Sequence, residues 1–199
     1  MPFGLKHGDS ELVVFPRDNL NVSYISLDFE FVFENVYSPT KAFVHPDGAV
    51  TYYPYWSQYK TFLYSIEHKN EFTIFYRSTR KSSELDLLDQ QISAAGLLPA
   101  TSNSSSSSIR NALVITWYRV REDSKPQNEN TFQLVLAAGP VYSFVIYNFG
   151  TCRSTSKGSG IQIIQNETSL LEYRNLDGSP LANSSYILDA STGLTLMSF

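Results

Sequence analysis

The chain has 199 residues, a formal net charge of −4 and a pI of about 5.3. Hydrophobic residues make up 42% and charged residues 17%, a balance typical of a packed globular body rather than a disordered segment. Nucleic-acid binding is disfavoured, because it depends on Lys and Arg neutralising phosphates and the nearest basic cluster is only Arg77, Arg80 and Lys81.

Membrane insertion by this segment is equally disfavoured. The most apolar stretch, residues 134–149, is interrupted by Gly139 and Pro140. It is too short to span a bilayer and predicts two strands that meet at a turn.

The single cysteine, Cys152, excludes an internal disulfide. Two interpretations stay open: pairing with another segment or chain, or a half-buried free thiol just past a strand. No signal peptide precedes the fold, since Met1 runs directly into Pro2-Phe3-Gly4 without a basic or an apolar region. The chain is therefore either cytosolic or a fragment of a longer protein.

Aromatic content, with 13 Tyr, 13 Phe and 2 Trp, favours β structure. In the first third of the chain, residues 24–34 alternate between apolar and polar side chains, which predicts a strand with one face on a core. Residues 42–52 flank Pro46-Asp47-Gly48 and predict a hairpin. A further strand is predicted over 72–79.

One helix is predicted, over about 83–95. Ser83 is a suitable N-cap, and Gly96 is a suitable terminator. The apolar residues that repeat at helical spacing are Leu85, Leu88, Ile92 and Ala95. Asp86 and Asp89 share one face, and we interpret that face as solvated.

The second half of the chain predicts three strong strands over 112–121, 131–138 and 141–149, the last two joined through Gly139-Pro140. Polar loops are predicted over 101–108 and 123–130. Weaker strands are predicted over 160–164, 170–173, 186–188 and 194–199. Residues 1–199 are thus expected to form a single mainly β domain (α+β by strict count), an antiparallel sheet or sandwich with one covering helix.

Several of these elements carry motifs of one known family. Pro2-Phe3-Gly4 resembles its opening, and residues 43–48 resemble its first hairpin. The most specific pair is Ile115-Thr116-Trp117-Tyr118-Arg119-Val120 with Asn130-Thr131-Phe132-Gln133-Leu134-Val135-Leu136, and residues 143–150 supply a third matching strand. This order resembles the nidogen-type (NIDO) extracellular domain family, most closely over about 62–150.

The resemblance implies a non-catalytic, extracellular interaction module for cell–matrix or cell–cell adhesion. Its partners would be extracellular-matrix or cell-surface proteins, and it would need no cofactor. It also favours the view that the chain is a fragment, secreted or part of an ectodomain, whose full gene encodes a signal peptide upstream. The family pattern carries no residue-level binding site over to this sequence.

The residues themselves point away from enzymatic activity. His7, His45 and His68 are scattered, and none lies near a nucleophile or metal-binding motif. We therefore expect neither catalytic nor metal-ligating residues.

The segment from Thr51 to Tyr64 is rich in aromatic residues. One interpretation is an interface with Tyr55, Trp56 and Tyr59 as anchors, because Tyr and Trp are enriched at binding hot spots. The other is that these rings belong to core strands and a connecting loop. An alternative function, from a different class, is a lectin-like sandwich that binds carbohydrate through residues 52–59.

Four N-glycosylation sequons occur in the chain. Their asparagines are Asn21, Asn103, Asn166 and Asn183. Asn103 and Asn183 lie in predicted loops, so we expect at least one sequon to be used if the protein is secreted.

Overall fold

In the computed structural model of the protein, the described residues are 1–12, 23–32, 39–45, 48–52, 57–62, 73–97, 109–122, 125–153, 160–165, 168–174, 184–190 and 196–198. They form a short 3-10 turn at Leu5–His7, one α-helix and thirteen strands. In chain order these are β1 Ser10–Leu12, β2 Ser23–Ser26, β3 Lys41–Val44, β4 Ala49–Tyr52, β5 Ser57–Phe62, β6 Thr73–Thr79, helix α1 Ser82–Ala94, β7 Asn111–Glu122, β8 Lys125–Ala138, β9 Ser143–Cys152, β10 Gly160–Gln165, β11 Thr168–Arg174, β12 Ser185–Asp189 and β13 Leu196–Ser198.

The strands make two antiparallel sheets. A seven-stranded sheet has the order β1-β6-β7-β8-β9-β12-β13, and a six-stranded sheet has the order β11-β10-β5-β4-β3-β2. The expectation of a mainly β, antiparallel fold with one helix is confirmed, and so are the weaker strands predicted after Cys152.

The two sheets pack against each other through an apolar core. Trp117 and Phe132, on neighbouring strands, are buried and stack with ring centroids 5.1 Å apart. The Trp117 indole N–H also donates to the carbonyl oxygen of His45, beside β3 of the other sheet, at 3.0 Å. This inter-sheet core confirms that Trp117 and Phe132 are core residues.

Helix α1 covers the opposite face of the seven-stranded sheet. Leu85, Leu88 and Ile92 pack there on a second apolar cluster. Its strand members are Ala112, Val114, Val135, Ala137, Phe144, Ile146 and Ile187. Central strands that are buried on both faces have continuous apolar sequences, and the first half of β7 has such a sequence.

The ends of the helix differ slightly from expectation. The N-cap residue is Lys81 rather than Ser83, and no side chain caps the helix. The helix begins at Ser82, so Ser83 lies inside its first turn, and Thr79 Oγ1, at the end of β6, accepts the Lys81 N–H at 3.2 Å. Gly96, with φ +69°, follows the last turn as predicted.

The first predicted strand is shorter than its alternation suggested. Pairing with β3 ends at Ser26, yet the alternation of burial continues to Phe31, which is fully buried. Beyond Ser26 the backbone bonds elsewhere: Leu27 N–H donates to the carbonyl oxygen of Thr40, and Val32 N–H to Ser143 Oγ. The alternation of buried and exposed side chains therefore continues for five residues after the pairing between β2 and β3 ends at Ser26.

Both predicted hairpins are present. Strands β3 and β4 pair around residues 45–48, with Gly48 N–H donating to the His45 carbonyl oxygen at 3.2 Å. Strands β8 and β9 are joined at Gly139, whose N–H donates to the Tyr142 carbonyl oxygen. The polar segment 123–130 is not all loop, because β8 already begins at Lys125.

Candidate functional site

The residues predicted from sequence as binding or modification sites lie mostly outside the described residues. This holds for Tyr55 and Trp56, and for the sequon asparagines Asn21, Asn103, Asn166 and Asn183. Tyr59 lies on β5, where its Cα is opposite Val50 and Ile163. Both the partner contact and the carbohydrate alternative at residues 52–59 stay predictions.

A row of polar residues crosses the helix-bearing face of the seven-stranded sheet. Thr116, Gln133, Asn148 and Ser185 are in direct register on β7, β8, β9 and β12. Gln133 Nε2 donates to Thr116 Oγ1 at 2.9 Å, and Ser185 Oγ donates to Asn148 Oδ1 at 2.8 Å. Because strand side chains alternate, this row shares a face with the apolar residues beneath α1 and continues beyond them.

The N-terminal segment packs over one end of this polar row. Phe3 contacts the rings of Tyr118 and Phe75, with centroids 5.3 Å and 6.2 Å away. Gln133 Nε2 also donates to the carbonyl oxygen of Met1 at 3.0 Å. The Pro2-Phe3-Gly4 motif thus supplies an aromatic wall for the sheet face.

A buried ion pair fixes the same segment. Arg77 on β6 bonds to the carboxylate of Asp9, and both side chains are almost fully buried. Arg77 Nη1 also donates to the carbonyl oxygen of Pro2 at 3.1 Å, and its Nε donates to Glu84 Oε2 at 3.2 Å. Burial would raise the pKa of Glu84, but hydrogen bonds from Thr79 and Arg77 hold it below its ordinary value.

The basic cluster seen in the sequence is therefore neutralised by carboxylates. Arg77 is held by Asp9 and Glu84, Arg80 pairs with Asp28 at 3.3 Å, and Lys81 lies 3.8 Å from Glu84. Such pairing leaves no concentrated positive charge there for phosphates.

A pocket of about 400 Å³ opens where the polar row meets the end of α1. Gln91, on the last turns of the helix, donates from Nε2 to Asn148 Oδ1 at 2.9 Å. The described residues lining the pocket carry no charged side chain. They are Met1, Phe3, Gln91, Thr131, Phe132, Gln133, Asn148, Phe149, Gly150, Ser184 and Ser185.

Two β-bulges meet at the rim of this pocket, both opposite Thr131. On β7, Tyr118 and Arg119 together occupy the interval between the Trp117–Phe132 and Val120–Asn130 pairs. On β9, Gly150 and Thr151 occupy the matching interval. A Cβ on Gly150 would lie 3.2 Å from the carbonyl oxygen of Thr131, so the close approach of these strands favours glycine.

The β7 bulge places an arginine in a left-handed backbone conformation. Arg119 has φ +61°, and its N–H is 3.4 Å from Thr131 Oγ1. Bulges of this kind re-aim side chains and concentrate near functional sites.

Arg119 and Arg121 both bind Glu129. Arg119 uses Nε and Nη2, at 3.0 Å and 2.9 Å, to hold both carboxylate oxygens. Arg121 uses Nε and Nη2, at 3.2 Å and 2.5 Å, to bind Oε1 alone. Hydrogen bonds from Arg119 and Arg121 lower the pKa of Glu129 to about 2, so the carboxylate stays ionised well into acid.

The acidic face of the helix is not wholly solvated, contrary to expectation. Asp86 is exposed, but Asp89 is half-buried and its Oδ1 accepts the Ile109 N–H at 2.9 Å. Burial raises the pKa of Asp89 above its ordinary value. Asp89 therefore secures the chain that enters β7.

Cys152 and Tyr147 lie in the inter-sheet core. Burial raises the pKa of the Cys152 thiol to about 12, although its contact with the Thr131 carbonyl oxygen acts in the opposite sense. The structure therefore favours the free-thiol interpretation, with the thiol more deeply buried than predicted. Burial also raises the pKa of Tyr147.

Within the described part of the chain, no group of three or more His, Cys, Asp or Glu side chains is placed to hold a metal ion. His45 is engaged structurally, since its Nε2 lies 3.0 Å from Thr51 Oγ1. None of the described helices has the length and apolar character that crossing a bilayer requires.

The polar row and Arg119 were not singled out in the sequence, although most of these residues belong to the motif strands. The available signal was the alternation itself: Thr116 and Gln133 are polar residues beside Trp117 and Phe132 in strands that are otherwise apolar. What the sequence does not reveal is that the two polar positions face each other, because that depends on register.

Comparisons with known proteins agree with the motif strands. The model of the nidogen-like domain family matches residues 31–183, well over half of the chain. No curated protein and no solved structure matches the chain. That family consists of extracellular, non-enzymatic modules. By the extent of this match, the chain belongs to the nidogen-like (NIDO) domain family.

Proposed function

We propose that this domain is a non-catalytic adhesion module that links cells to the extracellular matrix, or to other cells, through protein–protein contacts. The observation that carries the proposal is the family match over residues 31–183. Its partners are extracellular-matrix or cell-surface proteins, and it works as a secreted domain or as part of an ectodomain.

The geometry of the described residues supports a binding role. The buried ionisable side chains of Arg77 and Asp9 are used in a structural ion pair, to which Glu84 adds a second carboxylate. The described lining of the pocket at the end of α1 has no charged side chain and is partly aromatic, which suits recognition of a ligand more than acid–base chemistry.

A binding screen tests the adhesion function. The purified domain, fused to a dimeric carrier, is assayed against a panel of purified matrix proteins and cell-surface ectodomains, with the carrier alone as control. We expect saturable binding to at least one protein of the panel. Binding only to a glycan array would support the carbohydrate alternative instead, and a folded domain that binds neither would contradict the proposal.

Expression behind a heterologous signal peptide in mammalian cells tests the extracellular location. We expect folded domain in the medium, with a mass that falls on treatment with an N-glycosidase. Single Asn→Gln changes at Asn21, Asn103, Asn166 and Asn183 assign the mass loss to individual sequons. Retention and aggregation of all forms inside the cell would count against secretion.

A further inference from the structure

We propose that the helix-bearing face of the seven-stranded sheet binds an acidic peptide segment. Arg119 and Arg121 hold the carboxylate of an Asp or Glu side chain, and the pocket beside Gln91 and Asn148 holds the adjoining peptide group. The inference rests on the proposed function and deepens it, because it names the site and the chemistry of the protein partner.

The chain itself shows what the two arginines bind. The Glu129 carboxylate lies in a fork of Arg119 donors, with one N–H bond to each of its oxygens. Two-pronged geometry of this kind is specific for planar carboxylates and stronger than a single neutral hydrogen bond. Glu129 therefore represents, within the structure, the group that a partner would present.

One carboxylate does not satisfy two guanidinium groups. Among the described residues, no group pairs with Nη1 of Arg119 or of Arg121. The side chains are 51% and 32% exposed, so both can reach a ligand. The cluster carries one net positive charge on a chain whose overall charge is −4, which gives it local complementarity to an anion.

The arginines and the pocket are continuous through Thr131. This residue lines the pocket, and its Oγ1 is the nearest acceptor for the Arg119 N–H. The β7 bulge sets Arg119 opposite Thr131 rather than further along the strand. The backbone of Arg119 thus adjoins the pocket at Thr131, and a ligand that occupies both sites would pass over Thr131 to reach the guanidinium groups at Glu129.

The pocket has one hydrogen-bond donor and one acceptor that a peptide group of a ligand could bind. Asn148 Oδ1 is occupied by Gln91 and Ser185, whereas no described residue bonds to Asn148 Nδ2 or to Gln91 Oε1. One amide donor and one amide acceptor therefore remain, matching the C=O and N–H of a peptide bond. The volume of about 400 Å³ suits one or two residues, and Phe3 provides an apolar wall.

The experiment uses a small probe that carries these groups, N-acetyl-glutamate α-amide. Its affinity is measured by NMR titration of the ¹⁵N-labelled domain, with N-acetyl-glutamine α-amide as the isosteric neutral control. We expect the acidic probe to shift amide signals around Thr131, Asn148 and Arg119, and to bind about tenfold more tightly than the neutral one.

Three variants assign the binding. Arg119→Gln should weaken the acidic probe about tenfold. Glu129→Gln should tighten it about threefold, because both guanidinium groups lose their internal anion. Arg80→Gln is the matched control: Arg80 is also an exposed, ion-paired arginine, 64% exposed, but it pairs with Asp28 away from the pocket, and its loss should change the affinity less than twofold.

Equal affinity for both probes, or equal losses in Arg119→Gln and Arg80→Gln, would overturn the proposal. The peptide proposal would also be overturned if D-glucuronic acid bound more tightly than the peptide probe and lost affinity in Arg119→Gln. That result would indicate an acidic carbohydrate as the ligand. A matrix partner whose binding is unaffected by Arg119→Gln would refute this site while leaving the adhesion function intact. Binding of the probe by a domain that binds no protein of the matrix panel would support this site and contradict the adhesion function.

Discussion

The two faces of the seven-stranded sheet use the same strands for different purposes. On the inter-sheet face, the β7–β9 residues pack into one apolar core, with Trp117 and Phe132 stacked at its centre. On the helix-bearing face, the buried apolar cluster lies beneath α1 and gives way to the row from Thr116 to Ser185. Adjacent residues of one motif thus build an apolar core on one side and a hydrogen-bonded polar row on the other, because a strand alternates its side chains.

The largest expected effect is on the inter-sheet face. Trp117→Ala should lower the free energy of unfolding by about 3–5 kcal/mol, since it loses transfer energy, leaves a cavity and removes the bond to His45. Chemical denaturation measures the change. Leu87→Ala, an exposed apolar site on α1, is the control and should cost less than about 0.5 kcal/mol. Similar losses in both would mean that the inter-sheet core does not dominate stability.

The next largest effect tests whether the N-terminal segment is part of the helix-bearing face. Asp9→Asn should destabilise by about 2–3 kcal/mol, because it leaves Arg77 buried with Glu84 as its remaining carboxylate. Thermal and urea unfolding both report this change.

The control for this prediction is Asp28→Asn, which breaks the exposed pair with Arg80 and should cost less than about 0.5 kcal/mol. Indistinguishable stabilities of the two variants would show that the segment containing Phe3 and Asp9 does not contribute to folding.

A smaller effect is expected within the polar row. Thr116→Val keeps the side-chain shape but removes the acceptor for Gln133 Nε2, and should cost about 1 kcal/mol. Gln133 retains its bond to Met1, which limits the loss. Urea unfolding measures the stability, and the amide signals of residues 131–133 should shift. A gain in stability would indicate that the row is not a cooperative hydrogen-bonded unit.

The smallest effect concerns the one polar atom that the inter-sheet core buries without a described partner, the Tyr147 hydroxyl. Tyr147→Phe should leave the unfolding free energy within about 0.5 kcal/mol of the parent, or raise it slightly, because no hydrogen bond is lost. A loss above about 1.5 kcal/mol would reveal a partner for this hydroxyl and a more polar core than the comparison of faces implies.

Local patterns were sufficient for most of the elements. Apolar runs predicted the central strands, glycine and proline placed the hairpins, and apolar spacing placed the helix within one residue of its observed bounds. They succeeded because strand and helix periodicities are properties of neighbouring residues. Alternation failed at residues 27–32, where burial still alternates but the backbone bonds to the Thr40 carbonyl oxygen and the Ser143 side chain instead of forming a strand ladder.

The sequence by itself determined the family, the mainly β class and the core identity of Trp117 and Phe132, since each follows from motifs or composition. Only the tertiary structure decided that Thr116, Gln133, Asn148 and Ser185 form one row, that Asp9 neutralises Arg77, and that two bulges meet at Thr131. The reason is physical. Register, bulges and long-range ion pairs join residues far apart in the chain, and no local periodicity specifies which of them will be neighbours.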